Sequence, residues 1–211
     1  MSSDKKWAIV TGGSRGLGFE TAKGLIAAGI SVYIIGQDQQ RAQQSAATLG
    51  CEYRAVDVAD SKKFREVLTE ITEEASAKGL GVLDILVLSH GVMSEKMSKT
   101  LRTNDEEWRR TLSINLDSVF VAVNQLAPAM AEARAGRVII YSACLGRMSG
   151  PGTHGGLAPY RISKAGVNAF VKNLSHETGL GTRGFLVDAI CPGHCRTDMG
   201  GADAPRSAQE G

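Results

Sequence analysis

Tyr160 and Lys164 are the two side chains whose types and spacing in this sequence are best suited to chemistry. They lie four residues apart in Tyr160-Arg161-Ile162-Ser163-Lys164, so on a helix they share one face. An ammonium group beside a phenol favours the phenolate and lowers a phenol pKa that is otherwise about 10. Such a tyrosine exchanges a proton with a substrate oxygen nearer neutral pH. The spacing therefore indicates chemistry on a carbonyl or an alcohol, although a surface tyrosine and a solvated lysine would also match it.

A glycine-rich segment near the amino terminus makes the catalytic interpretation the stronger one. Residues 11–18 read Thr-Gly-Gly-Ser-Arg-Gly-Leu-Gly after a short apolar run. Gly12 permits a tight turn, Gly16 lets the backbone approach a pyrophosphate, and Gly18 lets a helix pack closely on a strand. Free N–H groups and the helix dipole then face the anion. We therefore predict a dinucleotide site, whose other contacts in this turn are Ser14, Arg15 and Leu17.

Alternating strands and helices must position these groups. Apolar, β-branched runs predict strands over residues 7–10, 31–35, 53–56, 83–88, 137–141 and 185–190. Helices are predicted over residues 16–28, 39–49, 61–77, 105–133 with a bend before Pro128, and 158–177. This alternation predicts one α/β domain over residues 1–211, with a six-stranded parallel sheet and helices on both faces.

Composition argues against several other classes of protein. The net charge is +2, and Lys and Arg are scattered among few aromatic residues, so we expect no nucleic-acid partner. No apolar stretch approaches the roughly 20 residues of a membrane span, and no signal-peptide region is evident, so we expect a cytoplasmic protein without a membrane partner. Cys191, His194 and Cys195 lie close together, but Pro192-Gly193 interrupts a regular ligand geometry, and we predict no metal site.

The glycine turn and the later Tyr160/Lys164 pair resemble the short-chain dehydrogenase/reductase family, whose pattern is Thr-Gly-x-x-x-Gly-x-Gly followed by Tyr-x-x-x-Lys. The resemblance covers nearly the whole chain and implies a Rossmann-like, doubly wound sheet. The run from Cys191 to Gly201 is similar to carbonyl-reductase-like members. The resemblance further implies that Asn115 holds a proton-relay water. It also implies cofactor contacts from Asp57, Val58, Pro192, Gly193 and Thr197, besides Tyr160 and Lys164.

The end of the predicted second strand bears on the choice of cofactor. An acidic side chain there would bind the ribose of NAD and repel a 2′-phosphate. That position is Gly36, and Arg15 in the glycine turn can pair with the phosphate. Gln37, an expected cofactor contact, stands where an NADP-preferring member of the family often has arginine, which weakens the case for NADPH, and members that use NAD can also have an arginine in the turn. We expect NADPH, with NADH as the less favoured alternative.

Two short segments depart from the family pattern. The Asn-Asn-Ala-Gly run expected after the fourth strand is Leu88-Ser89-His90-Gly91, so Ser89 or His90 must replace the bracing amides. Ser89 and Gly91 remain expected cofactor contacts. In Tyr141-Ser142-Ala143, the serine that orients the substrate carbonyl in the family is replaced by Ala143.

Two side chains are candidates for the missing hydroxyl. Ser142 is either a catalytic replacement or a serine bonded to nearby backbone, because neighbouring side chains on a strand point to opposite faces. His154, in the long glycine-rich loop before the tyrosine, either donates to a substrate oxygen beside Ala143 or is solvated.

The carboxyl end also differs from the family, which normally continues through a further helix and a seventh strand. This sequence ends at Gly211, so we expect those two elements to be missing. The sixth strand is then an open sheet edge unless a partner covers it, and we expect a homo-oligomer.

The leading hypothesis is an NADPH-dependent reductase that acts on a small ketone or aldehyde, or on the corresponding alcohol in reverse. Tyr160 donates the proton, Lys164 binds the ribose and lowers the pKa of the tyrosine, and Asn115 positions a water. The alternative is a non-redox catalyst or a regulatory binding protein on the same fold, because Ala143 replaces the serine.

Overall fold

The computed structural model describes residues 5–94, 99–150 and 154–211, and within them six strands form one parallel sheet. The strand order is β3-β2-β1-β4-β5-β6. It reverses between β1 and β4, which opens a crevice at the carboxyl ends of these strands where dinucleotides bind in such sheets. The strands are β1 (Trp7–Thr11), β2 (Ser31–Gly36), β3 (Glu52–Ala55), β4 (Ile85–Leu88), β5 (Arg137–Tyr141) and β6 (Leu186–Ile190).

Helices cover both faces of the sheet, because alternate residues of the buried strands are apolar on each side. On β1, Ala8 and Val10 pack towards one cluster with Ala22 and Ala46, whereas Trp7 and Ile9 belong to the other cluster. The helices are α1 (Gly16–Ala27), α2 (Gln39–Leu49), α3 (Ser61–Ala77), α4 (Asp105–Leu112), α5 (Ser118–Glu132) and α6 (Ala158–Glu177). The α/β doubly wound fold predicted from sequence is confirmed.

Most predicted element bounds agree with the structure, including all of α3, β5 and α6. The Asp38 carboxylate caps α2 by accepting a bond from the Arg41 N–H, and Gly50 ends that helix with a φ of 67°. β4 begins at Ile85 rather than residue 83. At this end of the ladder, the Asp84 side chain replaces a main-chain carbonyl as the acceptor for the Trp7 N–H.

The single helix expected over residues 105–133 is wrong. A π-helical turn, Ser113–Asp117, separates α4 from α5, and α5 continues through Pro128 to Glu132. The Ser118 N–H bonds to the Ser113 carbonyl five residues back, while the Ser118 hydroxyl donates to the Ile114 carbonyl at 2.6 Å. The irregularity therefore lies where the candidate residue Asn115 sits and not before Pro128.

Candidate active site

A cavity of about 880 Å³ opens at the carboxyl ends of the strands and is lined by segments that follow all six of them. It brings together residues that are up to 196 positions apart in the sequence, from Gly12 to Ala208. Its lining includes every predicted cofactor contact, namely Gly12, Ser14, Arg15, Gly16, Leu17, Gly18, Gln37, Asp57, Val58, Ser89, Gly91, Tyr160, Lys164, Pro192, Gly193 and Thr197.

The glycine turn has the close backbone packing expected of a phosphate site. A Cβ atom at Gly18 would lie 2.3 Å from the Gly12 carbonyl oxygen, and one at Gly12, whose φ is 68°, would lie 2.9 Å from the His90 backbone. A Cβ atom at Gly16, whose φ is 55°, would lie 3.1 Å from the Thr197 side chain. Within the described residues, no side chain caps the start of α1. The turn therefore fits the pyrophosphate of a dinucleotide.

The end of β2 has no room for the carboxylate that would favour NAD. A Cβ atom at Gly36 would lie 2.9 Å from the Ser14 hydroxyl oxygen and 3.2 Å from the Ala42 Cβ. The Gln37 amide nitrogen donates to Asp57 at 3.3 Å, and the other Asp57 oxygen accepts from the Ala59 N–H at 3.0 Å. The Asp57 carboxylate is therefore fixed at the cavity, where the family resemblance implies a cofactor contact.

Two arginines reach this end of the cavity. Arg15 forms an ion pair with Asp198, which lies just after Thr197 on the opposite wall. Arg41, in the first turn of α2, also lines the cavity and forms no ion pair with the part of the chain that the structure describes. Sequence reasoning missed Arg41 and Asp198, although the place of Arg41 three residues after the Asp38 cap was a usable signal.

Tyr160 and Lys164 lie together at the other end of the cavity, on the first turns of α6. Both are buried, and the Lys164 Nζ lies 5.9 Å from the centre of the Tyr160 ring. Lys164 donates a 2.7 Å hydrogen bond to the Tyr141 carbonyl at the end of β5. Burial lowers the pKa of Lys164 to about 8.

The expectation that Lys164 lowers the pKa of the tyrosine is wrong for this arrangement. Burial, followed by the neighbouring Cys191 and then Cys144, raises the pKa of Tyr160 to about 12. The ammonium of Lys164 is directed at a carbonyl instead of the phenol oxygen, so desolvation of the phenolate dominates. Tyr160 is consequently protonated at neutral pH, as a proton donor must be.

Asn115 does not line the cavity but braces the loop that does. Its amide oxygen accepts from the Val92 N–H at 2.8 Å, and its amide nitrogen donates to the Val92 carbonyl at 2.9 Å and to the Ser163 hydroxyl at 3.0 Å. A Cβ atom at Gly91 would lie 3.3 Å from the Asn115 amide oxygen and 3.6 Å from the Lys164 Nζ. The π-helical turn thus ties the loop after β4 to α6, and the relay role of Asn115 stays a prediction.

Ser89 and His90 occupy the places of the missing amides and bind across the sheet. The Ser89 hydroxyl donates to the Thr11 carbonyl at 2.6 Å. The His90 Nδ1 lies 2.5 Å from the Thr11 hydroxyl, and its Nε2 lies 2.6 Å from the Ser118 hydroxyl. Burial and then the charge of Lys164 lower the pKa of His90 to about 3, so the imidazole is neutral. Because Ser118 donates to Ile114, the Nε2 carries the proton.

Neither candidate for the missing hydroxyl points at the tyrosine. The Ser142 hydroxyl donates to the Asn168 amide oxygen at 2.6 Å and lies 3.4 Å from the Lys164 carbonyl, so α6 holds it. Ala143 lines the cavity with extended backbone. His154 is exposed and is not part of the cavity lining. The catalytic role of Ser142 and the substrate role of His154 therefore gain no support from these contacts.

Sequence reasoning also missed two thiols beside the tyrosine. Cys144 and Cys191 both line the cavity, and the Cys144 N–H donates to the Cys191 Sγ at 3.1 Å. The only signal in the sequence was that Cys144 follows Ala143 directly. Across the described residues, no group of three or more His, Cys, Asp or Glu side chains is arranged to hold a metal ion. In the same part of the chain, none of the helices is long and apolar enough to cross a membrane.

The fold and the cavity define a dinucleotide-dependent oxidoreductase, and comparison with known proteins identifies the family. The model of the family described as short chain dehydrogenase matches residues 6–207. The chain therefore belongs to the short-chain dehydrogenase family of NAD(P)-dependent enzymes, as the sequence predicted.

Relatives and solved structures agree with this assignment. The chain is 34% identical over 201 residues to 3-oxoacyl-(acyl-carrier-protein) reductase FabG of Escherichia coli K12, covering 94% of this chain and 77% of that protein. The protein of the same name from Vibrio cholerae is 32% identical over the same coverage. The crystal structure of gox2181 gives a TM-score of 0.81 at 24% identity over 93% of this chain and 75% of that one. A short-chain dehydrogenase from Streptomyces avermitilis gives 0.78 at 24% identity, over 97% and 71%.

Proposed function

We propose that residues 1–211 act as one catalytic domain that reduces a ketone or aldehyde with NADPH. The observation that carries the proposal is that one cavity joins the complete glycine turn to a buried, protonated Tyr160 and its neighbour Lys164. The similar FabG proteins are named as reductases of 3-oxoacyl groups, which contain a ketone. This similarity favours a ketone over an aldehyde as the substrate.

The residues of this chain supply the acid and the positioning. When bound, NADPH supplies the hydride that reaches the carbonyl carbon. The Tyr160 hydroxyl donates its proton to the carbonyl oxygen, and its raised pKa keeps that proton in place at neutral pH. Lys164, anchored by the Tyr141 carbonyl, is directed to hold the ribose near this end of the cavity. Asn115 holds Val92 and the loop after β4 against α6.

The preference for NADPH rests on the other end of the cavity. Gly36 excludes a carboxylate by contact with Ser14, and the Asp38 carboxylate is used as a helix cap. Arg15 and Arg41 both line the space where a 2′-phosphate would lie. Two positive charges and no uncommitted carboxylate at the end of β2 favour the phosphorylated ribose.

Several apolar side chains contribute to the lining of the cavity. Met93, Leu145 and Met199 line it together with Ala143, where a family serine would add a hydroxyl. The proposed substrate is therefore a small ketone with an apolar substituent beside the reacting carbon.

We also propose that the protein forms a homo-oligomer. Phe120 on α5 and Ile162 on α6 are large apolar side chains that are 50% and 44% exposed. β6 is an edge of the sheet, pairing with β5 on one side. An apolar helix face and an open edge are both stabilised by a second copy of the chain.

One observation favours a different function on the same cavity. Ala143 offers no hydroxyl and Ser142 donates to Asn168, so the described lining lacks the serine donor that the family places beside the tyrosine. A non-redox catalyst or a regulatory protein that binds the dinucleotide would need no such donor. Measuring NADPH binding and NADPH oxidation separately distinguishes this alternative from the reductase.

The test measures cofactor binding and turnover separately on the purified protein. We expect saturable NADPH binding and NADPH oxidation with a panel of apolar ketones and aldehydes. Tyr160→Phe should lower the rate by about 10²–10⁴-fold and leave the dissociation constant for NADPH close to that of the wild type. The matched control is Tyr53→Phe, which should retain activity. The Tyr53 hydroxyl accepts a hydrogen bond from Gln39 and lies away from the cavity. Binding without oxidation of NADPH across the panel would favour the non-redox function.

A further inference from the structure

Cys144 and Cys191 are brought together by the pairing of β5 and β6. Tyr141 lies opposite Ile190, and the Ser142 N–H donates to the Ile190 carbonyl at 2.7 Å. The chain then turns at Cys144, whose N–H points at the Cys191 Sγ at 3.1 Å. Two cysteines 47 residues apart in sequence therefore meet where the two strands end, the backbone of one against the thiol of the other.

The Cys191 thiol lies near enough to the Cys144 backbone for the two residues to be brought into a disulfide. Standard covalent geometry places the Cys144 Cβ about 2.5 Å from its own nitrogen, so the Cys191 Sγ, 3.1 Å from that nitrogen, lies within about 5.6 Å of that Cβ. A disulfide requires the two Cβ atoms to approach to about 3.8 Å. Cys144 is in a short 3-10 turn at the surface of the cavity, so an adjustment of this turn together with rotation of both side chains is the movement needed.

The other two cysteines are placed differently. Burial raises the pKa of the Cys51 thiol to about 11, and Cys51 lies outside the cavity lining. Cys195 is 4% exposed, and its Sγ donates to the Pro192 carbonyl at 3.3 Å. Cys191 is exposed and Cys144 is partly exposed. Reagents that enter the cavity therefore reach Cys191 first and Cys144 second.

We propose that Cys144 and Cys191 form a dithiol site at the substrate end of the cavity, which small-molecule disulfides convert into a reversible intramolecular disulfide. The Cys191 thiolate attacks one sulfur of the small disulfide and expels a thiolate. The Cys144 thiolate then attacks the Cys191 sulfur and expels the second thiolate. One disulfide and two protein thiols thus yield the protein disulfide and two small thiols, which take up the two protons.

The position of this disulfide couples it to the reaction. Cys144 and Cys191 line the same cavity as Tyr160, and their charges raise the pKa of its phenol. Ala143 immediately precedes one cysteine, and Pro192-Gly193 immediately follows the other, so closing the bond shifts the segments that form this wall of the cavity. Displacements of about 1 Å at a reacting centre can cost about 10²-fold in rate. The oxidised protein is therefore expected to lose turnover, which is the part of the inference that rests on the proposed function.

The experiment treats the full chain with oxidised glutathione, removes the excess, and digests the protein with trypsin without reduction. We expect the peptide 138–147 to be joined to the peptide 184–196, and NADPH oxidation to fall by at least about tenfold until dithiothreitol restores it. Because Cys191 and Cys195 share one tryptic peptide, the digest is repeated on Cys195→Ser, which should give the same cross-link. Cys51→Ala is the matched control and should keep both the cross-link and the inactivation.

Two sets of results would overturn the inference. Cross-linking through Cys195 or Cys51, or mixed disulfides with glutathione and no internal bond, would show that the pair is not a dithiol site. A quantitative Cys144–Cys191 bond with unchanged turnover would show that it does not control the reaction. Cys144→Ala and Cys191→Ala should each abolish the cross-link. The cross-link is read by mass, so it is measured even if no carbonyl substrate is found and the proposed function fails.

Discussion

Arg15 and Asp198 form an ion pair across 183 residues of sequence, between the glycine turn after β1 and the segment after β6. Both side chains are more than half exposed, and both line the cavity. The carboxylate of Asp198 is therefore positioned to compete with a cofactor phosphate for the same guanidinium. An exposed pair of this kind is worth about 0–1 kcal/mol, which a bidentate phosphate contact can exceed.

This competition predicts opposite effects of two substitutions on cofactor choice. Arg15→Ala should weaken NADPH binding by about tenfold or more, since a charge-assisted hydrogen bond contributes about 1.5–3 kcal/mol, and should leave NADH binding nearly unchanged. Asp198→Asn should strengthen NADPH binding and leave NADH binding unchanged, because it removes a negative charge near the phosphate. Calorimetric titration of both cofactors measures the effects. The control is Arg65→Ala on α3, where the Arg65 guanidinium bonds to Asn124. Equal affinities of the wild type for NADPH and NADH would contradict the prediction.

Restoring a hydroxyl at position 143 should raise the rate of ketone reduction. The Ala143 backbone is extended, with φ −151° and ψ 152°, so serine fits without strain. In enzymes where a hydrogen-bond donor beside the developing oxyanion has been deleted, the activation free energy rises by about 2.7–4 kcal/mol. Adding such a donor through Ala143→Ser should therefore raise kcat by one or more orders of magnitude. Steady-state oxidation of NADPH measures it.

Ser142→Ala is the matched control for that substitution. It removes the bond to Asn168 and should lower stability with little change in kcat, because the Ser142 hydroxyl is directed at α6. A slower Ala143→Ser enzyme would mean that the site depends on the small size of alanine.

The neutral histidine behind the cavity predicts a loss of stability in acid. The pKa of His90 is about 3 in the folded protein, whereas an unperturbed histidine titrates near 6.5. The unfolded chain therefore binds the proton first, and the free energy of unfolding falls as the pH drops below about 6.5. Between pH 7.5 and pH 5 the wild type should lose about 2 kcal/mol more than His90→Gln in urea unfolding. The exposed His154→Gln should behave like the wild type.

The buried lysine predicts a dependence in the same direction in alkali, with stability again rising with pH. The pKa of Lys164 is about 8 in the folded protein and about 10.5 in an exposed lysine, so the unfolded chain holds more protons between these values. The contribution of Lys164 to the free energy of unfolding therefore rises with pH across that window. Between pH 7 and pH 9.5 the wild type should gain about 2 kcal/mol relative to Lys164→Met. No difference in pH dependence between the two proteins would mean that the ammonium is well solvated.

The sheet and its helices were predictable from sequence because the signals are local. The Asp38 cap, the Gly50 terminus and the apolar strands each act within a few residues, and the structure confirms them. The π-helical turn was not predictable in this way. It depends on the Ser118 hydroxyl taking the Ile114 carbonyl and on Asn115 bonding to Val92, and neither bond is encoded in helical periodicity.

The candidate site was predictable where a motif carries its own geometry. The glycine turn and Tyr160/Lys164 were found because each contact depends on residue spacing along one element. The direction of a side chain at the end of a strand could not be predicted in this way. Ser142 turns towards Asn168, and Arg15 meets Asp198, because of packing between elements that are distant in sequence. The raised pKa of Tyr160 was missed for the same reason, since burial is a property of the assembled fold.

The π-helical turn also determines how this chain can be recombined with others. Each residue of an α-helix advances the chain by about 100° around the axis, and a π-turn accommodates one residue more than an α-helical turn would. Deleting one residue within Ser113–Asp117 would leave the faces of α4 and α5 where they are. If all five residues of the turn instead adopted α-helical geometry, α5 would rotate by about 100° about the helix axis. Ser118 would then move away from His90. A chimaera that takes α4 from one parent and α5 from another should therefore be joined within this turn, with the residue count of the turn preserved.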